Sequence, residues 1–91
     1  MTAVVRIPGV WRGLTAGEAA PLLEGDTVGE VLRNLTERYP DMRDRLFAAG
    51  GGLKPYLNVF LNQVDIRSLD ELETQVLDGD ELLLLMAISG G

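Results

Sequence analysis

Hydrophobic residues recur along this chain with two different periods, and the change from one to the other marks out the elements. Residues 3–7 (AVVRI) read as a first strand, with Val5 and Ile7 on the inner face and Val4 and Arg6 on the outer, closed by Pro8-Gly9. Gly9, Gly13 and Gly17 punctuate a loop, and residues 18–24 (EAAPLLE) form a second strand. Pro21 has no N–H to give to a ladder, which places that strand at a sheet edge. The period then changes to that of a helix. Val28, Val31, Leu32, Leu35 and Tyr39 make one apolar stripe, and Thr27 and Glu30 stand at capping-box spacing before it, each side chain positioned to satisfy an orphan amide. Pro40 ends this helix or opens a short second one through DMRDRLF, and AAGGGLKP follows as a loop.

Alternation returns in YLNVFLN, with Leu57, Val59 and Leu61 on one face and Asn58, Phe60 and Asn62 on the other. Asn62-Gln63 is a turn candidate and VDIR a short return strand, whereas SLDELETQVL fits a helical turn or irregular chain equally well. Asp78-Gly79-Asp80 is a strong turn signal before the last strand, residues 81–88. That strand is apolar on both faces, the mark of a central strand. Packing Leu82, Leu84 and Met86 inward leaves Leu83, Leu85 and Ala87 outward, beside Phe60 and Val4. The order β-β-α-β-β-β gives an α+β fold, a ubiquitin-like β-grasp. It predicts a mixed sheet of four to five strands, one main helix on one face, and a mobile C-terminal Gly-Gly tail. One domain covers residues 1–91, with 88–91 as a flexible functional tail.

Composition removes whole classes of chemistry. The 91 residues hold no cysteine and no histidine, so thiol nucleophiles, imidazole bases and the usual zinc sites are excluded, and no metal site is expected. The net charge of −6 is concentrated: Asp65, Asp70, Glu71, Glu73, Asp78, Asp80 and Glu81 face Arg67 alone. Such a segment disfavours nucleic acid and suits a positively charged protein surface, or serves only to keep a small domain in solution. The start lacks the pattern of a signal peptide, and the apolar run 82–88 is too short for a bilayer. A soluble, cytoplasmic protein with no membrane partner is expected.

The chain given closes on LLLLMAISGG. Gly90 and Gly91 have no Cβ, so this segment can enter a channel too narrow for side chains, with Ser89 as a further small residue. A carboxylate at Gly91 is a poor electrophile until activated, as by attack on the α-phosphate of ATP. No phosphate-cradling loop and no catalytic constellation is present to do this, so the chain reads as a substrate of another enzyme, without catalytic residues of its own. A carrier tail and a plain frayed terminus both remain open on these residues alone.

DGDELLLLMAISGG resembles the closing motif of the bacterial ubiquitin-like sulfur carriers, the ThiS/MoaD family. VVRIPGVWRGLTAG, GDTVGEVLRNLTERYPDMRDRL and YLNVFLNQVDIR resemble the first strand, helix and third strand of its CysO-type members from actinobacterial cysteine synthesis. The resemblance covers essentially the whole chain. It implies that an E1-like adenylating and sulfurylating enzyme uses ATP to convert the Gly91 carboxylate to an adenylate and then a thiocarboxylate. A sulfur-acceptor synthase takes the sulfur for a cysteine, cofactor or natural product, and a metal-dependent protease that trims the tail is a further partner. No cofactor is bound by the carrier itself. Met86 stands where the family often has proline, which leaves the tail's exit more adaptable.

Two other readings stay open: a ubiquitin-like modifier joined to targets through Gly91, which shares the activated tail, and a small non-catalytic subunit of a molybdopterin-synthase-like complex, whose tail plugs an enzyme's active site. Lys54 is the one lysine, so polymers built on the chain itself would be limited. Trp11 is expected to cover the edge of the core, and Glu71 and Glu73 to belong to a solvated acidic turn. Phe60, Leu83 and Leu85 are the expected docking surface for the adenylating enzyme, rimmed by the acidic 65–81 segment.

Overall fold

A computed structural model of the chain describes residues 1–86. The expectations for Ala87, Ile88, Ser89, Gly90 and Gly91 lie outside the described residues. Five strands form one mixed sheet: β1 (Thr2–Arg6), β2 (Leu22–Glu24), β3 (Leu57–Leu61), β4 (Val64–Asp65) and β5 (Glu81–Met86), in the order β2-β1-β5-β3-β4. The last strand is central, parallel to β1 and antiparallel to β3. Its two-sided hydrophobicity is therefore accounted for. β2 is an edge strand, as expected, but Pro21 just before it turns toward β1: its carbonyl accepts from Val5 at 3.0 Å, and its missing N–H leaves the ladder one bond short there.

Helix α1 (Val28–Arg38) covers one sheet face, and the short α2 (Arg43–Leu46) follows a single 3-10 turn begun by Pro40. Val28, Val31, Leu32 and Leu35 are fully buried against Ala3, Val5, Val59, Leu82 and Leu84. Only half of the expected capping box forms among the described contacts. The Thr27 Oγ1 accepts from the Glu30 N–H at 3.2 Å, and the helix start is tied to the chain before β5 by the Val28 N–H to the Thr74 carbonyl and the Val76 N–H to the Asp26 carbonyl, each at 3.0 Å. Gly25, just before the helix, is required by closeness: a Cβ there would stand 2.7 Å from the Val31 nitrogen.

The glycine-punctuated loop is more ordered than its sequence suggests. Residues Gly9–Thr15 form a 3-10 helix that delivers Trp11 into the core at 5% exposure. The return strand expected over 64–67 is only two residues long, since Ile66–Ser68 turn as a 3-10 helix, and the ambiguous stretch contributes a second such turn, Glu71–Glu73. The Asn62-Gln63 turn has positive φ at both residues (48° and 75°), the two-residue hairpin that matches strand twist.

One assignment is corrected. Met86 has the inward parity of Leu82 and Leu84 and pairs with Leu57, yet it is 36% exposed. Parity sets direction only; Met86 lies three residues past the last β1–β5 pair, Arg6 with Leu83, where the covered part of the sheet has run out.

Leu35→Ala is expected to cost about 2–5 kcal/mol, because the cavity opens in the middle of the helix–sheet contact. Urea unfolding measures it, and a parental midpoint would place Leu35 outside the core. Gln63→Gly is expected to raise stability by about 1 kcal/mol by removing a left-handed non-glycine residue, read in the same assay.

Candidate functional site

The site is built around the last strand. Its start is fixed by the Asp78-Gly79-Asp80 turn, in which Gly79 adopts φ +86°. Asp78 Oδ1 accepts from the Thr2 N–H at 2.8 Å, and the Gly79 N–H donates to the Thr2 carbonyl at 2.9 Å. Asp80 Oδ2 accepts from the Leu77 N–H at 2.8 Å, and Asp80 Oδ1 from the Asn62 side chain at 2.9 Å. The same Asn62 amide accepts from the Glu81 N–H at 3.0 Å. The turn thus ties the start of β5 to β1 on one side and to the β3–β4 hairpin on the other. Leu82 and Leu84 then lock the strand into the core at 0% exposure.

The face away from α1 carries the predicted docking residues. Phe60 and Leu83 stand directly opposite each other on β3 and β5, both half-buried. Leu85 lies two residues on, opposite Asn58, and is 43% exposed. Val4 joins them from β1, and the more exposed Leu22 on β2 pairs with Val4. The three residues expected at this surface are therefore together, in the strand that leads into the tail. Leu22 belongs to the same face but escaped the sequence reading, because a strand of three residues is too short to show alternation.

Charge around this apolar strip is arranged differently from the expected acidic rim. Arg6 and Glu81 pair across β1 and β5 at 3.0 Å. Arg67 donates to Asn58 on β3 and lies 3.4 Å from Asp65, which pairs with Phe60. The Arg67 backbone N–H, with its guanidinium adding to the effect, holds the Asp65 carboxyl below the usual carboxylate range. Asp78 and Asp80 are committed to the turn. Asp70, Glu71 and Glu73 line a groove with Asp65 and Arg67 and with Leu57 and Val59, residues of the helix-side face. Of the seven acids, these four line the groove, Asp78 and Asp80 sit in the turn, and Glu81 is paired with Arg6. Among the described residues no group of three or more acids converges as a metal site.

The ThiS family profile matches residues 5–91. The chain belongs to the ThiS family. Over 93 aligned positions spanning 100% of both chains, this ThiS-family member is 33% identical to the sulfur carrier protein CysO of Mycobacterium tuberculosis. It is 37% identical over 65 residues to the small archaeal modifier protein 3 of Haloferax volcanii, covering 71% of this chain and 70% of that one. Among solved structures, a chain of the Amycolatopsis orientalis BexX/CysO complex superposes with a TM-score of 0.89 at 35% identity, covering 98% and 99% of the two chains. The family and the β-grasp architecture expected from the sequence both hold.

Asp80→Ala removes two acceptors at once and is expected to cost about 1–3 kcal/mol. Chemical denaturation tests this. Parental stability in the variant would mean that the carboxylate does not anchor β5.

Proposed function

We propose that this protein is a sulfur carrier whose Gly91 carboxylate is the group on which partner enzymes act. One observation carries most weight: the strand leading into the tail is the central, doubly tied strand of a ThiS-family chain that CysO matches from end to end. A carboxylate accepts sulfur only after one of its oxygens becomes a leaving group. In the proposed cycle an E1-like adenylating enzyme supplies ATP, and a Gly91 carboxylate oxygen bonds the α-phosphorus as pyrophosphate departs. A hydrosulfide ion then attacks the acyl carbon, AMP leaves with the shared oxygen, and loss of the S–H proton leaves the tail ending in a thiocarboxylate. A sulfur-acceptor synthase takes the sulfur, and water restores the carboxylate.

In this cycle the chain contributes position rather than catalysis, and ATP is bound by the partner. Gly90 and Ser89 keep the tail narrow enough for an active-site channel. Phe60, Leu83 and Leu85 supply an apolar docking strip next to the tail's exit, with Arg6 and Arg67 held at its flanks by Glu81 and Asp65. The identity to a small archaeal modifier protein favours a second reading, conjugation of Gly91 to target amines, which shares the adenylate step.

The test is ATP–pyrophosphate exchange catalysed by an E1-like enzyme from the same cell. Deleting Gly91 should abolish exchange while the melting curve is unchanged, since the residue lies beyond the last packed strand. Phe60→Asp should leave a folded protein that needs at least about ten times more carrier for the same rate, as expected on losing a central apolar contact. Full exchange by the Gly91-deleted chain contradicts the carboxylate assignment, and parental behaviour of a folded Phe60→Asp protein moves the docking surface elsewhere.

A further inference from the structure

The sheet ends at β2 in a strand with half its backbone turned away from β1. Val5 and Ile7 donate to the carbonyls of Pro21 and Ala19, and Gly25 donates to Met1, so the odd-numbered residues of this segment face inward. Leu22 and Glu24 therefore direct their backbone groups outward, where an unprotected edge invites a strand from another molecule. Both outward carbonyls are already taken by helix α1. The Asn34 Nδ2 donates to the Glu24 carbonyl at 2.7 Å, and the Arg38 Nη1 donates to the Leu22 carbonyl at 3.1 Å.

The match is geometric. Four residues of helix advance about 6 Å, and two residues of strand advance about 6.8 Å, so donors at i and i+4 reach carbonyls at j and j−2 of a strand running the other way. Neither side chain is needed for the core: Arg38 is exposed and Asn34 only half-buried. Neither takes part in the docking strip or the tail anchor.

We propose that Asn34 and Arg38 form an edge guard that prevents a second copy of this chain from adding to β2. The guard occupies the two acceptors an incoming strand would use and lays two polar side chains across its path. It leaves the open face and the tail as the routes to partners, and keeps the protein a single chain at the concentrations at which it passes between them.

Sedimentation and amide exchange of the full chain test this. The parent should sediment at the mass of one chain, with the Leu22 and Glu24 amides exchanging rapidly. A chain carrying both Asn34→Ala and Arg38→Ala, with parental circular dichroism, should double in mass as concentration rises, and exchange at Leu22 and Glu24 should slow at least tenfold in step. Adding Leu22→Pro, which removes an outward donor and no inward bond, should return the doubly substituted protein to one chain. The conservative pair Asn34→Gln and Arg38→Lys keeps both donors and should behave as the parent. A parent already paired through β2, a folded double variant that stays single with fast exchange, or a dimer that survives Leu22→Pro would each overturn the proposal. If the double alanine variant fails to fold, single Arg38→Ala, at the helix end, gives the same reading with a smaller mass shift, and no shift there overturns it.

Discussion

The Asp78-Gly79-Asp80 turn decides how the rest of this molecule is used. Its two carboxylates and one glycine hold the start of β5 against Thr2 on one side and Asn62 on the other. A strand entering the sheet last in sequence but at its centre has to find neighbours formed far earlier in the chain, at a cost in loop entropy. Side-chain acceptors at the turn recover part of that cost in a defined register. Once the register is set, parity follows: Leu82 and Leu84 go to the core, and Leu83 and Leu85 go to the open face beside Phe60. A shift of one residue would exchange the two sets.

Most of this was legible in the sequence because it rests on local rules. The helix stripe, the proline at the edge, the alternation in β3 and the apolar last strand each follow from one period or one missing N–H. Met86 was misplaced because alternation says which way a residue points and not how far the covering layer extends. The acidic rim was misread for a related reason. Charges adjacent in sequence between Asp65 and Glu81 are spread by two 3-10 turns, and four of the seven acids, Asp65, Asp78, Asp80 and Glu81, accept hydrogen bonds within the fold. The Asn34 and Arg38 contacts with β2 join residues 10 and 16 positions apart and left no motif to find.

The two faces of the sheet therefore divide the work. One is closed by α1 and supplies stability; the other keeps a narrow apolar strip whose flanking arginines are paired within the chain. Paired in this way, Arg6 and Arg67 border the strip without leaving it strongly charged, which suits a surface that must bind and release. The β2 edge, with its carbonyls bonded to the helix, is withheld from that exchange. On the function proposed above, the chain brings a terminus to chemistry performed by others.

The central claim is that Gly91 carries sulfur, and the mass of the intact protein recovered from its native cells tests it most directly. The account predicts a fraction of molecules heavier by the difference between one sulfur and one oxygen, with the change confined by fragmentation to Gly91 and lost on treatment that hydrolyses thiocarboxylates. A population with an unaltered Gly91 under conditions of active sulfur assimilation, or with the added mass on another residue, would contradict it.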